Sequence, residues 1–218
     1  MNRKKSFTVF YLLLVCILSL CFGFVSCSKS SDKKDNEANG DKKEYAMGEY
    51  TLLDFEKESD KFAVRPYIDD ILDAYGSVSV SFEKEYAASG SGSLLYSYGA
   101  GKKPSIAFYP ERTAYSDLPM EKLASFGISV YSTATEEQQV TLSLVSGKEP
   151  VYEEKHALVP GRNDFVIEVD PLLVRFRADE VKALCVEFAP DAPCDYYLDD
   201  FKATIGEREL TEVQKTAE

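Results

Sequence analysis

The chain has 218 residues, 44% of them hydrophobic, with 25 Lys and Arg against 37 Asp and Glu and a formal charge of −12. That is long enough for one well-cored domain. The acid excess argues against a nucleic-acid partner, because phosphate binding needs clustered cations, and against electrostatic attachment to anionic lipid.

The chain opens with three cations, Arg3, Lys4 and Lys5, followed by an almost wholly apolar run from Phe7 to Phe22 and then Phe24-Val25-Ser26-Cys27. A basic stub, a short apolar run and small residues near a cut form a secretory signal. A transmembrane anchor is the alternative, since Phe7 to Val25 is about 19 residues, enough to span a bilayer. Gly23, Ser26 and Cys27 instead suit a signal peptidase, and a polar tract follows at once. The segment resembles the lipobox of bacterial lipoproteins. That resemblance implies cleavage before Cys27, a diacylglyceryl group on its thiol, membrane lipid as a partner and an extracytoplasmic place in the bacterial cell envelope. Losing the three leader cations takes the formal charge to −15. The expected organisation is a signal peptide over 1–26, a lipidated cysteine and tether over 27–44, a β-domain over 45–210 and a tail over 211–218. The tether, SKSSDKKDNEANGDKKE, has no large apolar residue and cannot bury a core.

From Tyr50 onward the pattern is one of short strands. Alternation runs over 78–82, 106–109, 126–131, 140–144, 165–169 and 184–188, and a closing strand runs from Tyr196 to Ile205. Period two with β-branched and aromatic residues marks half-buried strands. Turn signals separate them at 89–92, 99–104, 146–147, 160–161 and 189–193. Many short antiparallel strands at this spacing point to an all-β sandwich. Helix is scarce, with single turns expected over 70–75, 116–123 and 170–177. Cys185 and Cys194 are expected on consecutive antiparallel strands joined near Asp191. There Cys185 faces a residue near Leu198, about 13 Å along the strand from Cys194, beyond disulfide reach. Two free thiols are expected.

Three segments in order carry a further resemblance: Leu52-Leu53-Asp54-Phe55-Glu56, then Ser89-Gly90-Ser91-Gly92-Ser93-Leu94, then Tyr197-Leu198-Asp199-Asp200-Phe201, with Leu123 to Tyr131 as a central strand between them. The chain from 48 to 206 resembles jelly-roll carbohydrate-binding modules of the galactose-binding-like class. The resemblance implies a non-catalytic glycan-binding domain. It also implies a structural calcium held by Glu56 and Asp199, with Asp54 and Asp200 beside them and Ser93 in the loop whose carbonyls complete the shell. The residues alone leave two readings of Asp199. It shares a parity with Phe201, Ala203 and Ile205, so if that parity faces the core it is a buried acid that needs either a cation or N–H donors.

One sheet face of such a sandwich is expected to receive the sugar. Tyr131 alternates out from Phe126, Ile128 and Val130, and Tyr109 alternates out from Ile106 and Phe108. An outward tyrosine covers the apolar face of a sugar ring, and Arg112 in the next loop supplies donors. Tyr67, Tyr75 and Tyr98 are further candidates. The other reading of Tyr109 and Tyr131 is packing under a loop.

No catalytic set emerges. His156 is the single histidine, no G-x-S-x-G motif is present, and Gly99 to Lys103 lacks the spacing of a phosphate loop. Glu136 to Gln139 reads as a hairpin tip. The alternatives to glycan binding are an envelope interaction or adhesion module with the same fold and, less favoured, a glycoside hydrolase.

Overall fold

The computed structural model describes residues 44–99, 102–146, 149–169 and 181–206. The leader, Cys27, the tether before Glu44, the turn expected over 170–177 and the tail lie outside the described residues. Twelve strands form two antiparallel six-stranded sheets. The first sheet takes β1 (Gly48–Leu53), β4 (Val78–Ser81), β5 (Ser93–Tyr98), β7 (Leu123–Ser132), β10 (Gly161–Glu168) and β12 (Cys194–Ile205). Its order is β10-β7-β12-β5-β4, with β1 also paired to β12. The second sheet has the order β3-β2-β6-β11-β8-β9, with β2 (Val64–Ile68), β3 (Ile71–Leu72), β6 (Pro104–Phe108), β8 (Gln138–Ser146), β9 (Glu149–Leu158) and β11 (Ala183–Ala189). This is the all-β sandwich that the alternation predicts, with the jelly-roll class that the resemblance implies.

Alternation puts the branched and aromatic residues between the sheets. Phe126, Ile128 and Val130 of β7 face Ile106 and Phe108 of β6, Val140, Leu142 and Leu144 of β8, and Leu184, Val186 and Phe188 of β11 across the core. Two aromatic groups fill it. Phe201 stacks on Phe126 at 5.6 Å and meets Phe108 at 5.0 Å between ring centroids. Tyr196 lies between Phe188, at 3.9 Å, and Tyr98, at 5.7 Å. Rings of this size dominate the apolar area removed from water.

Several expectations are corrected. The 189–193 turn does not close a hairpin: β11 belongs to the second sheet and β12 to the first. Cys185 faces Ala107 and Ser143 rather than Leu198. Both cysteines are free, but the cause is their placement on different sheets. Residues 133–137 likewise cross from β7 to β8, so Glu136 is not at a hairpin tip. The expected turn over 70–75 contains β3, and 116–123 shortens to a 3-10 turn over Met120–Lys122. Finally, Asp199 does not share its face with Phe201. Asp200 adopts φ +50 and the β12–β7 register shifts between Asp199 and Lys202. One extra residue in the strand reverses the alternation. Tyr196 and Leu198 point inward before the bulge, and Phe201, Ala203 and Ile205 after it.

Candidate functional site

The two outer faces differ. Residues 82–92 lie over the part of the first sheet's outer face around Tyr131, Tyr197 and Asp199, while Val166 of β10 stays exposed. Tyr86 stacks on Tyr197 at 4.0 Å and meets Tyr131 edge-on at 4.9 Å. Asp199 Oδ2 accepts the N–H groups of Ala88 at 2.7 Å and Ser89 at 3.0 Å, and its Oδ1 accepts the Asp200 N–H at 2.7 Å. Asp200 Oδ1 accepts the Ser89 hydroxyl at 2.6 Å. Glu56 Oε1 accepts the N–H groups of Ser91 and Gly92 at 2.7 and 2.8 Å, and Oε2 accepts the Ser91 hydroxyl. Arg162 donates to the Ala87 carbonyl. Gly92 packs so tightly that a Cβ there would lie 2.1 Å from the Phe55 carbonyl oxygen.

These contacts decide how the expected calcium residues are used. Calcium takes six to eight oxygen ligands. Here the Glu56 and Asp199 oxygens meet N–H and O–H donors. Asp54 accepts only a long contact from the Glu56 N–H at 3.4 Å, and Asp200 also meets Lys202 at 3.3 Å. Ser93 is buried and its hydroxyl has no hydrogen-bond partner among the described residues. No group of three or more His, Cys, Asp and Glu side chains with metal-holding geometry occurs among the described residues. Among the described residues Asp199 takes the other role weighed for it, accepting N–H groups. Burial pushes the Asp199 carboxyl up to about 6 against the pull of its N–H donors. The Ser91 and Gly92 N–H groups hold the Glu56 carboxyl below its usual range.

The outer face of the second sheet is open. Three cross-strand rows define it. Tyr109 follows β6 at one end, beside Ala183 and Val145. The next row runs Arg65, Ala107, Cys185, Ser143, and the third runs Leu72, Tyr67, Ser105, Glu187, Thr141. Small residues on the middle strands leave a recessed floor. Ser105 and Ala107 are only 5% and 4% exposed, and a cavity of about 580 Å³ lies above them. Tyr67, Tyr109, Arg65 and Leu72 rise along one side. The groove is braced from beneath. The Tyr96 hydroxyl crosses the core from the first sheet and donates to the backbone carbonyls of Tyr67 and Ser105. Burial, with Tyr67 beside it, pushes the Tyr109 hydroxyl up. Burial and the nearby Glu187 push the Cys185 thiol up to about 12.

Tyr109 and Arg112 therefore lie together as expected, with the Arg112 guanidinium 5.1 Å from the Tyr109 ring centroid. Tyr131 does not join them. It lies on the opposite sheet beneath Tyr86, which is the packing role weighed against sugar contact. Of the further candidates, Tyr67 enters the groove, Tyr75 donates to the Val64 carbonyl at 3.0 Å, and Tyr98 is buried. Sequence reasoning missed Arg65, which sits 5.4 Å from the same Tyr109 ring. Its signal was the alternation Val64-Arg65-Pro66-Tyr67, masked by a proline. Pro66 is tolerated because it lies just past the two-residue pairing of β3 with Tyr67 and Ile68, where its carbonyl accepts the Asp73 N–H at 3.1 Å and no N–H of its own is called for.

No protein-family model and no curated protein matches the chain. Solved structures do. The family 11 carbohydrate-binding module from Clostridium thermocellum, solved with a beta-1,3-1,4-mixed-linked tetrasaccharide, is 14% identical, with a TM-score of 0.48 over 76% of this chain and 100% of that one. An exo-beta-agarase is 10% identical, with a TM-score of 0.53 over 73% of this chain and 25% of that one. A second agarase is 11% identical, with a TM-score of 0.51 over 74% and 25%. The chain spans about a quarter of each agarase. The agarase likeness is one of fold, a jelly-roll β-sandwich.

Proposed function

We propose that this domain is a non-catalytic glycan-binding module whose ligand lies in the groove of the second sheet. One observation carries the reading: that groove is open, floored by small residues and flanked by Tyr67 and Tyr109, while on the opposite face Tyr86 packs against Tyr131 and Tyr197. Tyrosine rings offer a flat apolar surface to the C–H face of a sugar, and their hydroxyls bond at its rim. Ser105, Ser143, Thr141 and Glu187 supply further polar groups along the floor. The binding breaks no covalent bond. We further propose that Cys27 carries a diacylglyceryl anchor that holds the domain at the bacterial cell envelope. The cations, apolar run and small residues before Cys27 support this, and two acyl chains hold firmly where one is marginal. Tethering raises the local concentration of a weak binder near its target.

The test is a glycan array probed with the full mature protein, its Tyr67→Ala and Tyr109→Ala variants alongside. Retention of one or more glycans by the wild type, weakened in both variants, is expected. A wild type that retains no glycan overturns the reading, as do groove variants that bind unchanged.

A further inference from the structure

The groove has a charge polarity that glycan binding alone does not require. The Arg65 and Arg112 guanidinium carbons lie 5.4 and 5.1 Å from the centroid of the same Tyr109 ring. Both side chains are half-buried. Among the described residues, neither has an ion-pair partner. Acids are abundant in this chain, 37 against 25 cations, yet among the described residues none forms an ion pair with either arginine. The groove's acids lie elsewhere. Asp70 follows the Tyr67 side of the rim, and Glu187 faces Ser105 and Thr141 in the Tyr67 row. The groove thus runs from a cationic end, with Arg65 in its wall and Arg112 against the Tyr109 ring just outside it, to an acidic end beyond Tyr67.

Two half-desolvated cations around one ring repel each other, and an anion between them relieves that repulsion. A planar guanidinium presents paired N–H donors that match the oxygens of a carboxylate or sulfate. Contact with the Tyr109 ring holds both guanidiniums close to one site. Resting on the groove assignment above, we propose that the ligand is an acidic saccharide whose anionic substituent is clamped by Arg65 and Arg112 at the Tyr109 end.

The test uses affinity electrophoresis of the mature protein in matched polysaccharide pairs: polygalacturonate against its fully methyl-esterified form, and a sulfated galactan against its desulfated form. The first pair reads a carboxylate and the second a sulfate. In at least one pair the anionic form should bind about ten-fold tighter, and Arg65→Gln and Arg112→Gln should each remove about that factor. Arg112→Lys should fail to restore it, because an ammonium lacks the planar fork. Raising salt from about 20 to about 500 mM should weaken wild-type binding about ten-fold, a readout that needs no variant. If neutral forms bind as well as anionic ones and only the tyrosine variants lose affinity, the clamp is wrong and the groove stands. If no polysaccharide binds, the clamp falls together with the groove.

Discussion

Tyr86 lies flat on Tyr197, 4.0 Å between centroids with 20° between planes, and also packs edge-on against Tyr131. Tyr131→Ala should therefore leave glycan retention unchanged while lowering stability by about 1 kcal/mol, the scale of an aromatic pair. Parallel electrophoresis and urea unfolding check both. Tyr109→Ala should show the reverse balance, with retention falling about ten-fold or more.

Asp199 is 1% exposed and accepts three backbone N–H groups. Asp199→Ala leaves those donors unmet and should destabilise the domain by on the order of 3 kcal/mol. A chelator should leave the melting temperature unchanged, because N–H groups hold the carboxylate. A fall of several degrees on chelation would restore the calcium assignment.

The same residue sets a pH dependence. Its carboxyl is raised from 3.8 to about 6, so between those values the folded state holds a proton that the unfolded chain has released. Its contribution is present in full below pH 3.8 and is lost as pH rises through 6, on the order of 3 kcal/mol. Glu56, shifted downward by the Ser91 and Gly92 N–H groups, acts oppositely, its stabilisation being lost as pH falls through its folded value. Urea unfolding between pH 4 and 7 should show Asp199→Asn with a more positive slope of stability against pH than the wild type.

The two loop glycines should differ. A Cβ at either position would lie 2.1 Å from an oxygen, but at Gly92 that oxygen is the Phe55 backbone and at Gly90 it is the movable end of Glu56. Gly92→Ala should cost on the order of 3 kcal/mol and exceed Gly90→Ala. Thermal melts of both variants decide the order.

Cys185 lies on the groove floor with its thiol raised to about 12. Alkylation at pH 8 should be slow in the native protein, because thiolate is scarce, and slower again under saturating saccharide. Mass spectrometry of the Cys185 peptide reads both rates.

Strand positions were legible wherever alternation was clean, as in 126–131, 140–144 and 184–188, because each has one face in the core. Pairing was harder to read. Period two is the same whether the next strand pairs locally or crosses to the other sheet, so the Cys185 and Cys194 strands passed for a hairpin. The Asp200 bulge was invisible for a related reason: a single inserted residue leaves the composition of the strand unchanged and reverses its parity. Tyr109 and Arg112 were found because they follow a clear strand. Arg65 was not, because Pro66 interrupts its strand signal. The separation of Tyr109 from Tyr131 depended on sheet membership, which no local pattern encodes.

Strand β12 lies between β7 and β5 over its first half and between β7 and β1 over its second. Three strands made earlier, β1, β5 and β7, thus wait for one made later. A nascent chain stopped before Cys194 has no way to close the first sheet, and every such contact spans a long loop. Assembly should accordingly be slow and all-or-none, beginning only once β12 has been made.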